Sequence, residues 1–283
     1  ADDFQVINTN FYLVSASLIG LAYTGLLESM ERVTFKLEEG LRQDKLTSDQ
    51  MLRNFLPDRI MMRLRNGETT IAEGVGEATV LFADICGFTS LTHRLAPGHM
   101  IELLSDLFTK FDEISDSTGV EKVKTIGDCY MVVAGIQNSS PKNADSVAEF
   151  AIEVLAFVHA YAIEKNIPLQ VRIGIATGSV VSGVIGTRVP IFDIWGEPVN
   201  HAARLQEEAA PDTILVSEST YWRLHNKYEF EGQEELTLKH GEKINAYRLT
   251  SRKSAKDANL MIIGGTLGDT VEKNLFDKGD NSA

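Results

Sequence analysis

The chain has 283 residues, 43% hydrophobic and 24% charged, enough apolar material for one sizeable folded domain plus an extension. A formal net charge of −13 makes the surface as a whole repel a nucleic-acid backbone, so no nucleic-acid partner is expected. The two cysteines, Cys86 and Cys129, fall in or beside predicted core strands and read as reduced thiols of a cytosolic domain rather than as a disulfide framework.

From Phe4 through Leu27 the chain carries no charge, a length that can cross a bilayer, which takes about 20 residues. No basic stretch precedes the run, which argues against a secretory signal. Residues 1–27 are therefore read as a transmembrane helix; a buried or dimer-forming soluble helix is the alternative. The chain begins with Ala and reads as a fragment or a processed product. Arg32, Lys36, Arg42, Lys45, Arg53, Arg59, Arg63 and Arg65 follow. By the positive-inside tendency they put the rest of the chain in the cytoplasm.

Residues 28–70 are read as a helical coupling segment. Met30, Val33, Leu37 and Leu41 recur at spacings of three and four, and Leu52, Phe55, Leu56, Ile60 and Leu64 continue the stripe. A break is expected near Thr47-Ser48-Asp49, and Pro57 should start or kink a helix. Such a stripe usually marks core, but between a span and a domain it can form a parallel two-helix coil. Gly67 and the polar residues after it end the segment.

Residues 71–250 alternate between strand and helix patterns. The spacing predicts a strand near 77–85, ending on Asp84 with Gly87 turning the backbone, and a helix near 97–118 with Met100, Leu103, Leu104, Leu107, Phe108 and Phe111 on one face. A hairpin over 121–135 carries Gly127-Asp128 at its tip. A helix follows near 144–165, with Val147, Phe150, Ala151, Val154, Leu155 and Val158 inward. Strands are expected at 169–176 and 180–185, a helix near 197–209, a strand at 213–216 and a β-rich end. This order predicts an α+β domain with helices against one mixed sheet. Residues 251–283 lose the pattern, apart from Leu260-Met261-Ile262-Ile263, and read as a mobile tail.

Two carboxylates at strand ends, Asp84 and Asp128, can share a pair of hard cations that polarise a phosphate and activate an oxygen nucleophile. An Asp in the first position also serves as a helix cap. Phe82-Ala83-Asp84-Ile85-Cys86-Gly87-Phe88-Thr89, Lys124-Thr125-Ile126-Gly127-Asp128 and Ile194-Trp195-Gly196-Glu197-Pro198-Val199-Asn200-His201-Ala202-Ala203-Arg204 resemble the ordered motifs of class III nucleotide cyclases. The resemblance covers roughly residues 75–250 and implies a ferredoxin-like palm. The run Phe55-Leu56-Pro57-Asp58-Arg59-Ile60, with Leu64 and Gly67, likewise resembles the transducer helix that precedes many membrane cyclase domains.

The implied reaction is attack of a ribose 3′-hydroxyl on the α-phosphate, with pyrophosphate leaving. By resemblance, Asp84, Asp128 and the backbone carbonyl of Ile85 hold two Mg²⁺ or Mn²⁺ ions. Asn200 and Arg204, four apart on one helix face, match the ribose-orienting and transition-state residues. Lys124 and Asp193 match the two base-reading positions. A donor-only Lys for adenine N1 and an acceptor-only Asp for the 6-amino group favour ATP. Lys122, two residues earlier, is expected on the same strand face as Lys124. Arg172 and Lys239 match triphosphate contacts, with Lys243 as an alternative to Lys239. The resemblance further implies a homodimer with two shared sites. Each takes Asp84, Asp128 and Arg172 from one protomer and Lys124, Asp193, Asn200, Arg204 and Lys239 from the other. The expectation is a membrane-tethered adenylyl cyclase; its rivals are a guanylyl cyclase and a catalytically silent nucleotide-binding sensor.

Overall fold

The computed structural model describes residues 2–53, 56–68, 70–88, 96–137, 140, 142–186, 190–237 and 243–253, with side chains from residue 13 onward and not over 46–53 or at Asp58. Lys239, Phe55, Thr89 and the segment 254–283 lie outside the described residues. The chain divides into two units, residues 1–69 and 70–283.

In the first unit, α1 (Asp2–Arg53) is one continuous helix. The break expected at Thr47-Ser48-Asp49 does not occur: three polar residues weaken helix propensity by only tenths of a kcal/mol each, and no Gly or Pro stands there to stop the helix. Leu13, Leu18, Ile19, Leu21 and Leu26 are each about 60–70% exposed, so this apolar surface has no covering partner among the described residues. The stretch is long and apolar enough to cross a membrane. A second helix, α2 (Asp58–Arg65), starts directly after Pro57, whose carbonyl accepts from the Ile60 and Met61 amides. Gly67, at φ 87°, then turns the chain.

The second unit is an eight-stranded mixed sheet. Its elements are β1 (Ile71–Cys86), α3 (Pro97–Thr118), β2 (Glu121–Ile126), β3 (Cys129–Ala134), α4 (Asn143–Lys165), β4 (Gln170–Ile185), β5 (Ile191–Trp195), α5 (Glu197–Glu208), β6 (Thr213–Ser217), α6 (Glu218–Leu224), β7 (Tyr228–Thr237) and β8 (Lys243–Arg252). Strand order is β2-β3-β1-β4-β6-β8-β7, with β5 paired to β4. Among the described strands, only β4 and β6 run parallel. α3 begins at Pro97, whose missing N–H costs nothing in a first turn, and stops at left-handed Gly119.

One sheet face is the core. Leu81, Ala83 and Ile85 of β1 and Tyr130, Val132 and Ala134 of β3 pack with Leu107 and Phe111 of α3 and with Val147, Phe150, Ala151, Val154 and Val158 of α4. α4 is apolar and long enough to span a bilayer by composition, yet this packing makes it a core helix. Alternation sends Asp84 and its cross-strand neighbours Cys129 and Arg172 to the opposite face. There α5 lies against β4, and Gly174 permits the approach. A Cβ at Gly174 would stand 2.2 Å from the Ala202 carbonyl oxygen and 2.3 Å from the Gln206 nitrogen.

Three expectations need correction. The two strands expected at 169–176 and 180–185 are the single long strand β4, because Gly178 stays extended and pairs with Ala78 across a bulge carried by β1. The five-residue β5 and the short α6 were not anticipated; both are below the length at which periodicity is readable. The tail begins later than 251, since Ser251 and Arg252 close β8 against Glu229 and Tyr228.

Candidate active site

Asp84 sits two residues before the end of β1, between Cys129 on β3 and Arg172 on β4. Its carboxylate is 14% exposed and accepts from Arg172 Nε at 3.0 Å, with Arg172 Nη2 at 2.9 Å. Arg172 Nη1 donates to the backbone carbonyl of Glu207, 3.1 Å away in the last turn of α5. One guanidinium thus ties the end of β1 to the end of α5.

Asp128 occupies the β2–β3 turn beside Gly127, which takes φ 63° to make the reversal. Burial pushes its carboxyl up from the ordinary value; the negative charge of Asp84 adds to this and Arg172 opposes it. The two acids therefore feel one another across the strand ends. Ile85, whose carbonyl was the third expected oxygen, has its side chain buried in the core at 1% exposure. Both cysteines are free and lie nearby. Burial, and then Asp84 and Asp128, raise the Cys129 thiol to about 12, and burial raises Cys86 as well.

A second cluster forms where β2 meets β5. Lys124 Nζ lies 2.5 Å from Asp193 Oδ2, both partly buried, and Asp193 Oδ1 accepts from the Ile194 amide at 2.9 Å. Lys122 does not share a face with Lys124, contrary to expectation. The register shifts between them, so that Lys122 pairs with Val132 and Lys124 with Met131, neighbours that point to opposite faces. Lys122 instead reaches Asp112 at 2.7 Å and lies 4.9 Å from the centre of the Tyr130 ring.

The third group is on α5. Asn200 is exposed, and Arg204 follows one turn later on that side. The Arg204 guanidinium, 24% exposed, is gripped by Glu207 at 2.6 Å and Glu208 at 3.0 Å, while its buried Nε has no acceptor among the described residues. Sequence reasoning missed this grip, although acids three and four residues after an arginine on a helix are a readable signal. Lys243 is paired with Glu235 at 2.7 Å on the β7–β8 ribbon.

Around Asp193 the surface is apolar. Val181 pairs with Trp195 and Ile185 with Ile191, on either side of the Gly183–Asp193 pair. These four side chains are 37–62% exposed, and Ile126 is 52% exposed.

Residues 71–251 match the profile described as the adenylate and guanylate cyclase catalytic domain. An adenylate cyclase of Mycobacterium bovis is 33% identical over 252 residues, 89% of this chain and 57% of its own length. A membrane guanylyl cyclase of Dictyostelium discoideum is 31% identical over 89% of this chain and 17% of its own. The present chain thus spans little more than half the length of the first of these relatives, and far less of the second. Among solved structures, the guanylate cyclase domain of RhGC from Catenaria anguillulae in complex with GTP is 30% identical with a TM-score of 0.61, covering 64% of this chain and 100% of that domain. The adenylyl cyclase CyaB of P. aeruginosa is 25% identical with a TM-score of 0.62, covering 66% and 98%.

Proposed function

The chain belongs to the adenylate and guanylate cyclase catalytic-domain family, the class III nucleotide cyclases, and from that premise we propose that it converts ATP into 3′,5′-cyclic AMP and pyrophosphate as a membrane-tethered homodimer. Relatives of both specificities stand equally near, so the choice of base rests on this chain's own residues. The observation that carries it is the Lys124–Asp193 pair, a donor-only group 2.5 Å from an acceptor-only group. Adenine carries an acceptor, N1, beside a donor, the 6-amino group. With Lys124 at N1 and Asp193 at the 6-position, both bonds form. In the same orientation guanine offers an N–H to the ammonium and a carbonyl to the carboxylate, and each partly buried group is left without a partner on the base, which discriminates against guanine.

Asp84 and Asp128 would hold the Mg²⁺ or Mn²⁺ ions, two per site, with the Ile85 carbonyl completing the set. Their fit is chemical. Both offer hard oxygens, and burial, with the Asp84 charge adding to it, disfavours the ionised Asp128 carboxylate, a penalty that a cation would relieve. Among the described residues no cluster of three or more acidic, His or Cys side chains forms, so phosphate oxygens and water must supply the remaining ligands. When bound, such ions lower the pKa of the 3′-hydroxyl and neutralise phosphate charge. Arg172 and Lys239 would hold the triphosphate. Asn200 would fix the ribose, and Arg204 would meet the charge that grows at the α-phosphate.

Dimer formation is supported by the exposed apolar set on β4 and β5, which flanks Asp193, the proposed base-reading residue, and would suit a partner surface there. Membrane attachment is supported by the bare apolar surface of α1, which at about 1.5 Å per residue far exceeds a ~30 Å hydrocarbon layer and leaves its charged C-terminal half outside. The deciding assay incubates the purified chain with ATP or GTP and Mn²⁺ and measures both cyclic nucleotides. Cyclic AMP should dominate. Equal or greater GTP turnover overturns the base assignment, and no product from either leaves the silent sensor.

A further inference from the structure

Arg172 and Arg204 are joined through one residue. Arg172 holds Asp84 with two nitrogens and the backbone carbonyl of Glu207 with the third. The Glu207 side chain then holds Arg204 Nη1 at 2.6 Å. The path Asp84–Arg172–Glu207–Arg204 is therefore continuous and lies wholly within one protomer. In the shared-site dimer proposed above, on which this inference rests, Asp84 and Arg172 serve one active site and Arg204 serves the other. We propose that Glu207 is a positioning residue that couples the two active sites of the dimer.

The physics follows from which contacts are compatible. Both Arg172 nitrogens lie on one oxygen of Asp84, Oδ2, and a divalent cation that takes this carboxylate sets a second positive charge beside the guanidinium. Filling the first site therefore moves Arg172 from Asp84 toward the phosphates, and the Glu207 carbonyl loses its donor. That carbonyl is in the terminal turn of α5, and the residue four positions on is Pro211, which has no N–H to replace the bond. Once that turn relaxes, Glu207 grips Arg204 less firmly. Arg204 is then freer to meet the phosphate in the second site, which binds more tightly. Coupling of this kind is a difference in contacts between two states, and it is reciprocal. Glu208 also grips Arg204, at 3.0 Å, but no bond from Arg172 reaches it, so it tightens the grip without belonging to the path.

The test is calorimetric titration of the full chain in detergent with 3′-deoxy-ATP and Mn²⁺, a pair that binds and cannot cyclise. The wild type should bind two ligands per dimer, the second with an intrinsic affinity about fivefold or more above the first. Glu207→Gln should bring the two affinities together by strengthening the first. Glu208→Gln should strengthen both steps and keep their ratio. Equal affinities in the wild type, an unchanged ratio in Glu207→Gln, or loss of the ratio in Glu208→Gln to the same degree overturns the coupling. A monomer, or no binding at all, overturns the shared-site reading itself and the coupling with it.

Discussion

On the proposed reading, Lys124 and Asp193 make the base choice a matter of two atoms, and that choice is open to reversal. Lys124→Glu with Asp193→Cys replaces donor by acceptor and acceptor by a small thiol. The double variant should shift the ratio of GTP to ATP turnover upward by about 10²-fold or more, measured as kcat/KM for each triphosphate. Either single substitution should lose ATP turnover without gaining GTP, because the surviving partner is left buried and unpaired. These residues were legible because Lys124 lies inside one motif and Asp193 immediately precedes another. The pairing that holds them was not, since a 69-residue separation gives no local signal. The bulge that separates Lys122 from Lys124 was equally hidden, because nothing in Glu121-Lys122-Val123-Lys124 marks an extra residue. Elsewhere on the domain, Arg223 of α6 clasps Glu77 of β1 at 3.0 and 2.6 Å and holds its carboxyl below the usual value. A lowered folded value means stability that is present at neutral pH and lost as pH falls through it. Glu77→Gln should cost roughly 0.2–1 kcal/mol at pH 7, given how exposed the pair is, and nothing near pH 3; thermal melts at the two pH values read the difference.

At the scale of elements, the contact between α5 and β4 sets where Arg204, the proposed transition-state residue, stands. Gly174 is the only residue type that fits beneath Ala202 and Gln206, since the nearest atoms are backbone and cannot rotate away. Gly174→Ala should therefore push α5 outward at a cost of about 1–3 kcal/mol or more. An ångström of displacement at Arg204 should lower kcat by about 10²-fold, out of proportion to the fall in melting temperature. Unchanged kcat in a destabilised variant would disconnect the helix position from the chemistry. The helices α3 and α4 were legible to within a residue because their apolar faces repeat over more than 20 positions and their ends carry Pro97, Gly119 and Asn166. β5 failed to register because Ile191-Phe192-Asp193-Ile194-Trp195 is too short to show its alternation, although that alternation is what places Asp193 among apolar neighbours.

At the scale of the whole molecule, the proposed shared-site dimer puts two half-sites on the one chain, and that proposal makes its own prediction. If Asp84 works with the partner's Lys124, Asp193, Asn200 and Arg204, damage on opposite halves can be sorted into one dead site and one intact site. Asp84→Ala alone should lose at least 10²-fold in kcat, as should Arg204→Ala, and each homodimer has two broken sites. Co-expression yields heterodimers in which one site holds both lesions and the other holds neither. With random pairing, roughly a quarter of wild-type specific activity should return. Asp84→Ala mixed with Asp128→Ala is the control, since both lesions fall on the same half and every dimer keeps two broken sites. Recovery in that control as well would mean reassembly is not what restores activity. If neither mixture recovers while size measurements show that chains have exchanged, each protomer must complete its own site. The exposed apolar strip of Val181, Ile185, Ile191 and Trp195 would then need another explanation.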